Sequence, residues 1–444
     1  MFTLDLRSLA LFRIGVAVVI LLDLFERSKD FIAHYTDEGI VPRDVFLEKY
    51  HHWWEISFHL ISGNVLYQGL LFVIAVIFAI LLLLGFKTKI SAIISWIFLL
   101  SLQNSNIYML YGADKLLITL LLCGIFLPWG ERFSIDSYRQ KKAYSDLYFS
   151  WATVALFFQF IFLYFFSVMW KLKGGLWLPS GDGIINSLNT HLPLTEVGSF
   201  LVQFPEFLRP LSFLVVLFEL VGPFMLLFSF FSFQLRMLIL FFFIAFHVSL
   251  GVSINLGFFP ILDIVFLLAF FPARFWGPKA EKKNKLNHNI FVTFFCIFLT
   301  VNALVWNFQV FGIDLPNQIE VSGSALRINH YWNLFGTGIG NPSPLLKATG
   351  QLRNRKKVIL SGNLDEFVFE NSSKTILPFH SIRWERYAVV FSNEEFLPNF
   401  AMFLCDRWNS KNNEKLVKLE FSRFNPKNSN IVFKSNTFYC KDSQ

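Results

Sequence analysis

Charged side chains are scarce in this chain: only 16% of its 444 residues are Asp, Glu, Lys or Arg, against roughly 25% in an ordinary globular domain. That shortage argues against a disordered chain and against a fully soluble enzyme. Cysteine is scarcer, with four in all and no CxxC pair, so zinc-ribbon and thioredoxin chemistry have no support. Also missing are a Walker-type GKT or GKS, a dinucleotide fingerprint, HExxH and the nucleophile-elbow GxSxG. His51 and His52 in HHWWEI are adjacent and would point apart on a helix, so the segment reads as an interfacial aromatic belt. No metal is expected.

What is present is apolar: 54% hydrophobic residues, 57 of the positions being Phe. A bilayer-crossing helix takes roughly 20 such residues in a run. About nine runs qualify: 8–26, 66–85, 90–109, 111–129, 147–170, 211–231, 235–254, 258–275 and 289–311. The first is not expected to be a cleaved signal, because Asp5 accompanies Arg7 in its leader and no small-residue cleavage site follows. Beyond Gly312 the runs stop and charge returns. The expected fold is an all-α polytopic membrane protein of about nine transmembrane helices, residues 1–311, with a small, mainly β extramembrane domain, residues 312–444. Alternating stretches such as KKVILSGNLDEFVFE from Lys356 suit strands, and FLPNFAMFLCDRWN suits a helix.

Loop charge gives an orientation. Arg7, Arg13, Lys87, Lys89, the stretch Arg132 to Lys142, Arg236 and the run GPKAEKKNK at Gly277 crowd alternate loops. The intervening loops, 27–65 and 171–210, are longer and carry Asp30, Asp37, Glu38, Asp44, Glu48 and Glu55. The positive-inside rule puts the amino terminus in the cytoplasm of a multi-pass cell (inner) membrane protein and the tail outside. The net charge of +8 and pI near 9.2 then reflect basic loops facing anionic headgroups, and no nucleic acid partner is expected. Cys405 and Cys440 share the tail, in an oxidising compartment, so a disulfide between them is expected. Cys123 and Cys296 lie within spans as small apolar fillers.

An ionisable side chain inside a bilayer costs about 2.5–3.5 kcal/mol or more, so each needs a partner or a role. Asp23, Arg27, Asp30 and His34 are spaced four, three and four apart on one helical face, running into HYTDEGIVPR with Asp37. Such a stripe is either a salt-bridge ladder locking the first helix to its neighbours or part of a site. Asp114 follows Gly112, where it can cap a helix. Lys171 and Lys173 follow FFSVMW and precede GGLWLPSG, which lets the backbone fold over them. Desolvation disfavours an ammonium, so a lysine held in apolar surroundings can serve as a neutral amine base. Glu219, His247 and Asp263 lie on three consecutive spans. Asp23, Asp114, Lys171, His247 and Asp263 fall at one depth in the outer half of the bilayer, with Glu219 near its middle, as expected of a site open to lipid and to the outer side.

The segment FRIGVAVVILLDLFERSKDFIAHYTDEGIVPR, Phe12 to Arg43, resembles the opening signature of the horizontally transferred transmembrane (HTTM) domain family, to which vitamin K-dependent gamma-carboxylase belongs. Further matches follow in order: YGADKLL at Tyr111, FLPWGERFSID at Phe126, the lysine segment with Trp177 and Gly181, Glu219, FHVSLGVSINLGFFP at Phe246 and HYWNLFG at His330. The resemblance implies a lysine that deprotonates reduced vitamin K, menaquinol or similar, which reacts with O2 to make a strong base. That base removes a gamma proton of a peptide glutamate, and CO2 adds. The family's KL-to-W-to-G pattern best fits Lys171, Leu172, Trp177 and Gly181, with Lys173 as the alternative base. Catalytic roles are therefore expected for Lys171, Lys173, His247 and Glu219, and cofactor contacts for Asp23, His34, Asp37, Asp114, Trp177 and Asp263. The carboxylase's histidine before its YG has no counterpart in NSNIYMLYG, where Ile107 stands nearest, and the tail is shorter than the carboxylase's.

Two functions follow. One is a membrane-embedded enzyme with the lipid bilayer, a quinone-like lipid and a secreted peptide or protein as partners. The other is a non-enzymatic membrane protein assisting maturation or export of a secreted peptide. A transporter is disfavoured, since no inverted repeat or paired broken spans are seen.

Overall fold

A computed structural model describes residues 2–41, 43–49, 51–140, 146–189, 194–229, 232–277, 289–336, 345–360, 367–369, 381–390, 396–425 and 428–440. Long helices dominate its first three-quarters: α1 (Leu6–Lys29), α2 (Val65–Leu84), α3 (Thr88–Ser105), α4 (Gly112–Ile125), α5 (Trp151–Gly174), α6 (Pro205–Phe228), α7 (Phe233–Ser253), α8 (Phe259–Leu268) and α9 (Ile290–Asn307). Local chemistry sets their ends. Asp5 accepts from the Arg7 amide to start α1, Asn64 and Asn289 cap α2 and α9, and Pro205 stands in the first turn of α6. Gly85 and Gly175, at φ 65° and 71°, close α2 and α5 in the left-handed conformation that glycine adopts without a Cβ clash.

Among the described residues six helices, α1, α2, α5, α6, α7 and α9 with its extension to Phe311, are long and apolar enough to cross a membrane. The chain is a multi-pass membrane protein. Six of the nine expected runs form such helices, and the other three form shorter or less apolar ones. The run at 111–129 yields only the 14 residues of α4, and that at 258–275 only the 10 residues of α8. At about 1.5 Å per residue neither spans the hydrocarbon core alone. The helix α3, of 18 residues, ends in the polar run SLQNS and falls short in hydropathy. The helix α4 is buried by protein on nearly every side, so it need not match the bilayer thickness.

Hydrogen bonds tie the two ends of the bundle. At one end Arg13 donates to the carbonyls of Trp129 (3.1 Å) and Phe133 (2.5 Å), Asp136 accepts from the amides of Lys87 and Thr88, and Arg236 donates to Phe270 O at 2.9 Å. Leu4–Asp5 pairs antiparallel with Leu147–Tyr148 there. The basic loops gather at this end, although Arg13 and Arg236 are buried and spent on backbone carbonyls. GPKAEKKNK lies mostly outside the described residues.

At the other end sits the tail. Its antiparallel sheet runs β3-β2-β1-β4-β5, with β1 (Leu345–Leu352), β2 (Lys357–Leu360), β3 (Phe367–Phe369), β4 (Leu416–Asn425) and β5 (Asn428–Tyr439). Two helices accompany it, α10 (Ile382–Val390) and α11 (Leu397–Lys411), the second where the sequence placed one. Phe400 of α11 stacks on Phe421 of β4, and the expected Cys405–Cys440 disulfide staples helix to sheet.

Candidate functional site

A cavity of about 500 Å³ lies between α5, α6, α7 and the chain around Asn333 to Gly336. Leucine, isoleucine and phenylalanine make up half of its wall, Arg386 of α10 joins it, and Phe207, 60% exposed at the start of α6, marks where the wall meets the outside. Lys171, Glu219, His247 and Trp177, all singled out from the sequence, line this space.

The helix α5 delivers Lys171 three residues before it ends at Gly174, and the turn through Gly175 folds Trp177 back over it. The ammonium stands 4.9 Å from the centre of the Trp177 ring. The indole is fixed by donating from Nε1 to Phe335 O at 2.7 Å and by lying on Gly183, where a Cβ would overlap the ring. Lys171 Nζ donates to Ser167 Oγ at 3.0 Å and forms an ion pair with Glu219. Lys171 is 2% and Glu219 5% exposed. Across the cavity the Tyr164 hydroxyl is 2.5 Å from His247 Nε2, and His247 Nδ1 is 3.6 Å from Asp263 Oδ2. Asp263 is fully buried behind His247, and neither of its oxygens makes a hydrogen bond among the described residues.

The remaining predicted residues lie elsewhere. Lys173 points away from the cavity, donating to Val310 O at 2.9 Å with Trp170 beside it. Asp37 sits in a loop, 3.7 Å from Arg43. Asp23 and Asp114 form a second cluster with Arg27 and with Arg383 of α10. Arg27 Nε donates to Asp23 Oδ2 at 2.8 Å and pairs through its other nitrogen with Asp114. Arg383 pairs with Asp23 and donates to Asp114 at 3.0 and 3.2 Å. Asp114 also caps α4 by accepting from the Tyr111 amide at 2.9 Å. His34 stacks on Tyr387, 5.1 Å away, with Trp384 tilted against it at 4.7 Å. The two groups share a wall: Tyr111 and Ile382 line the cavity while Arg383 lies 5.1 Å over the Tyr111 ring.

Sequence reading missed Tyr164, which is camouflaged within the apolar run FFQFIFLYFFSVMW, although its position seven residues before Lys171 puts it on the same helical face. It also missed Arg383, for which no local signal exists. The HTTM domain model matches residues 3–276 of the chain. No curated protein and no solved structure gives a significant match.

Proposed function

The chain belongs to the HTTM domain family, and we propose that it is a membrane-embedded, quinol-dependent peptidyl-glutamate carboxylase in which Lys171 is the base. The observation that carries this reading is the buried Lys171–Glu219 pair opening on an apolar cavity rather than on water. A cavity of about 500 Å³ is within the usual range for a small ligand, and polar groups such as Lys171, Glu219, Tyr164 and His247 are set among its apolar side chains. That arrangement fits the ring of a reduced vitamin K, menaquinol or similar, arriving through lipid. Lys171, Glu219, Trp177, Tyr164 and His247 would hold it.

The chemistry supplied by such a quinol with O2 is a base strong enough for a peptide glutamate's gamma proton, after which CO2 adds. The protein's part is proton handling and exclusion of water. Lys171 Nζ, once it passes a proton to the Glu219 carboxylate, is a neutral amine facing the cavity, and the nearby carboxylate keeps the pair overall neutral in either state. Trp177, locked on Phe335 O, covers the amine on one side. Lys173, committed to Val310 O, is not the base in this reading. The tail, on the same end of the bundle as the cavity, would face the extracytoplasmic side where a secreted peptide or protein substrate arrives, with the amino terminus in the cytoplasm of the cell membrane. Residues 312–444 would then be an extracytoplasmic domain.

The test is a purified preparation in lipid nanodiscs given reduced vitamin K, a glutamate peptide and labelled bicarbonate. Label should enter the peptide with wild-type protein and not with Lys171→Ala, while Lys173→Ala retains most of it. Incorporation no greater than that of Lys171→Ala would end the carboxylase reading in favour of an accessory role.

A further inference from the structure

Among the described residues three charged side chains line the cavity: Lys171, Glu219 and, from the tail, Arg386. The first two form an ion pair, so the wall carries a net charge of +1 and its place is Arg386, not the Lys171 end. Helical register puts it there. Ile382 and Arg386 are four apart on α10 and share the face that meets the cavity. Arg383 and Tyr387, one position on, share the neighbouring face, and that face is anchored. Arg383 holds Asp23 and Asp114, while Tyr387 bonds Asn106 and stacks on His34. Arg386 is thereby a fixed part of the wall, with its side chain still exposed.

A second cation stands close by. Lys115 lies one turn beyond Gly112 on α4, and Gly112 itself lines the cavity. The Lys115 ammonium is 6.0 Å from the centre of the Tyr331 ring, and Arg386 and Arg327 are near enough to repel it. Acids in this neighbourhood have cations of their own: Glu55 is 3.1 Å from Arg327, and Asp114 is shared by Arg27 and Arg383. Cations gathered beside a low-dielectric space attract an anion. The surface around them is apolar, since Phe259 and Leu334 crowd Gly112 and Ile382 crowds Gly257. An inorganic ion would meet the arginine and leave that surface uncovered. An ion carrying a hydrocarbon chain covers both.

We propose that the Arg386 side of the cavity binds a single-chain anionic amphiphile, its phosphate or carboxylate head on Arg386 with Lys115 beside it and its chain along the apolar wall. A guanidinium offers a planar fork that meets either head through two parallel hydrogen bonds. The inference goes beyond the quinol reading and does not need it. It names a second class of ligand for the same space, one that a bilayer supplies. Chain and ring would need the same volume, so the two ligands exclude each other.

The experiment is native mass spectrometry of the full chain in a neutral detergent, titrated with dodecyl phosphate, laurate, 1-dodecanol and inorganic phosphate. At least one of the two charged amphiphiles should bind about tenfold more tightly than dodecanol, the scale of a charge-assisted hydrogen bond. Inorganic phosphate, a head without a chain, should bind weakest. Preference for dodecyl phosphate alone assigns the head to a phosphate, and for laurate alone to a carboxylate. Arg386→Gln should bring the charged and neutral amphiphiles to within about twofold by weakening the charged one only. Lys115→Gln should remove a smaller part of the preference. Lys29→Gln, which alters an exposed cation away from the cavity, should leave it intact. Equal binding of charged and neutral chains, a preference that survives Arg386→Gln, or the same loss with Lys29→Gln would overturn the proposal. A protein that prefers the anion but incorporates no label keeps this inference and loses the carboxylase reading. One that carboxylates and shows no such preference does the opposite.

Discussion

Two buried charge clusters stand at the tail end of the bundle, and they differ in how completely they are paired. In the first, two carboxylates meet two guanidiniums: all four oxygens of Asp23 and Asp114 accept from Arg27, Arg383 or the Tyr111 amide, and Arg27 also donates to the Tyr35 hydroxyl at 2.6 Å. None of the four charged residues lines the cavity. In the second, Lys171 and Glu219 have each other and Ser167, both line the cavity, and Asp263 beyond His247 makes no hydrogen bond among the described residues. A cluster with every oxygen engaged is suited to holding the tail on the bundle. A cluster left partly unsatisfied on the wall of an apolar cavity is suited to chemistry, since its remaining capacity points at whatever enters.

The sharpest way to break that contrast is to make the second cluster apolar. The double change Lys171→Met, Glu219→Leu removes both charges together, so thermal melting in nanodiscs should stay near that of the wild type. Turnover should nevertheless fall by about 10²–10⁴-fold, the usual contribution of a positioned base. The converse holds at the first cluster. Arg383→Met leaves two buried carboxylates to one guanidinium and should cost about 3–5 kcal/mol, read as a lower melting temperature and easier proteolytic release of the tail. Removing the tail's own staple with Cys405→Ser, Cys440→Ser should cost about 2–4 kcal/mol, seen in melting of the tail with the bundle unchanged.

A smaller effect is expected from acid. His59 and His330 lie outside the spans, and burial holds their imidazoles down to about 4 and about 3. The unfolded chain therefore binds these protons more readily than the folded one. Their stabilisation is complete above about pH 6.5 and is lost as pH falls through that value towards 4. A melting series between pH 7.5 and 4.5, repeated with His59→Asn, should show a shallower decline in the variant. The smallest effect belongs to the exposed Lys29–Glu26 pair, where Lys29→Ala should change stability by no more than about 0.5 kcal/mol.

The sequence made the second cluster legible and the first only in part. Lys171, Glu219, His247 and Asp263 stand out because a titratable group in a run of Phe and Leu violates hydropathy, and Trp177 follows from the turn that α5 makes at Gly175. Depth along the helices placed Asp23 and Asp114 in the same layer as these residues, but depth does not give the angle around a helix. Asp23 of α1 and Asp114 of α4 meet at Arg27 and at Arg383 of the tail, not at the cavity. Arg383 lies 360 positions from Asp23, in a polar segment where an arginine ordinarily meets water, so nothing local marks it as the counter-charge. The apolar runs at 111–129 and 258–275 outrun the helices α4 and α8 for a related reason. Apolar runs report burial without distinguishing lipid from protein, and α4 is buried by its neighbours.

The central claim is that a lipophilic ring reaches Lys171 from the bilayer. Photolabelling tests it directly: an azido-naphthoquinone added to nanodisc-embedded protein, irradiated, and mapped by mass spectrometry with and without excess menadione. Label is expected on the segments 163–177 and 246–254, competed away by menadione. Label confined to the lipid-facing surface of α2, or label at the cavity that menadione does not displace, would contradict it.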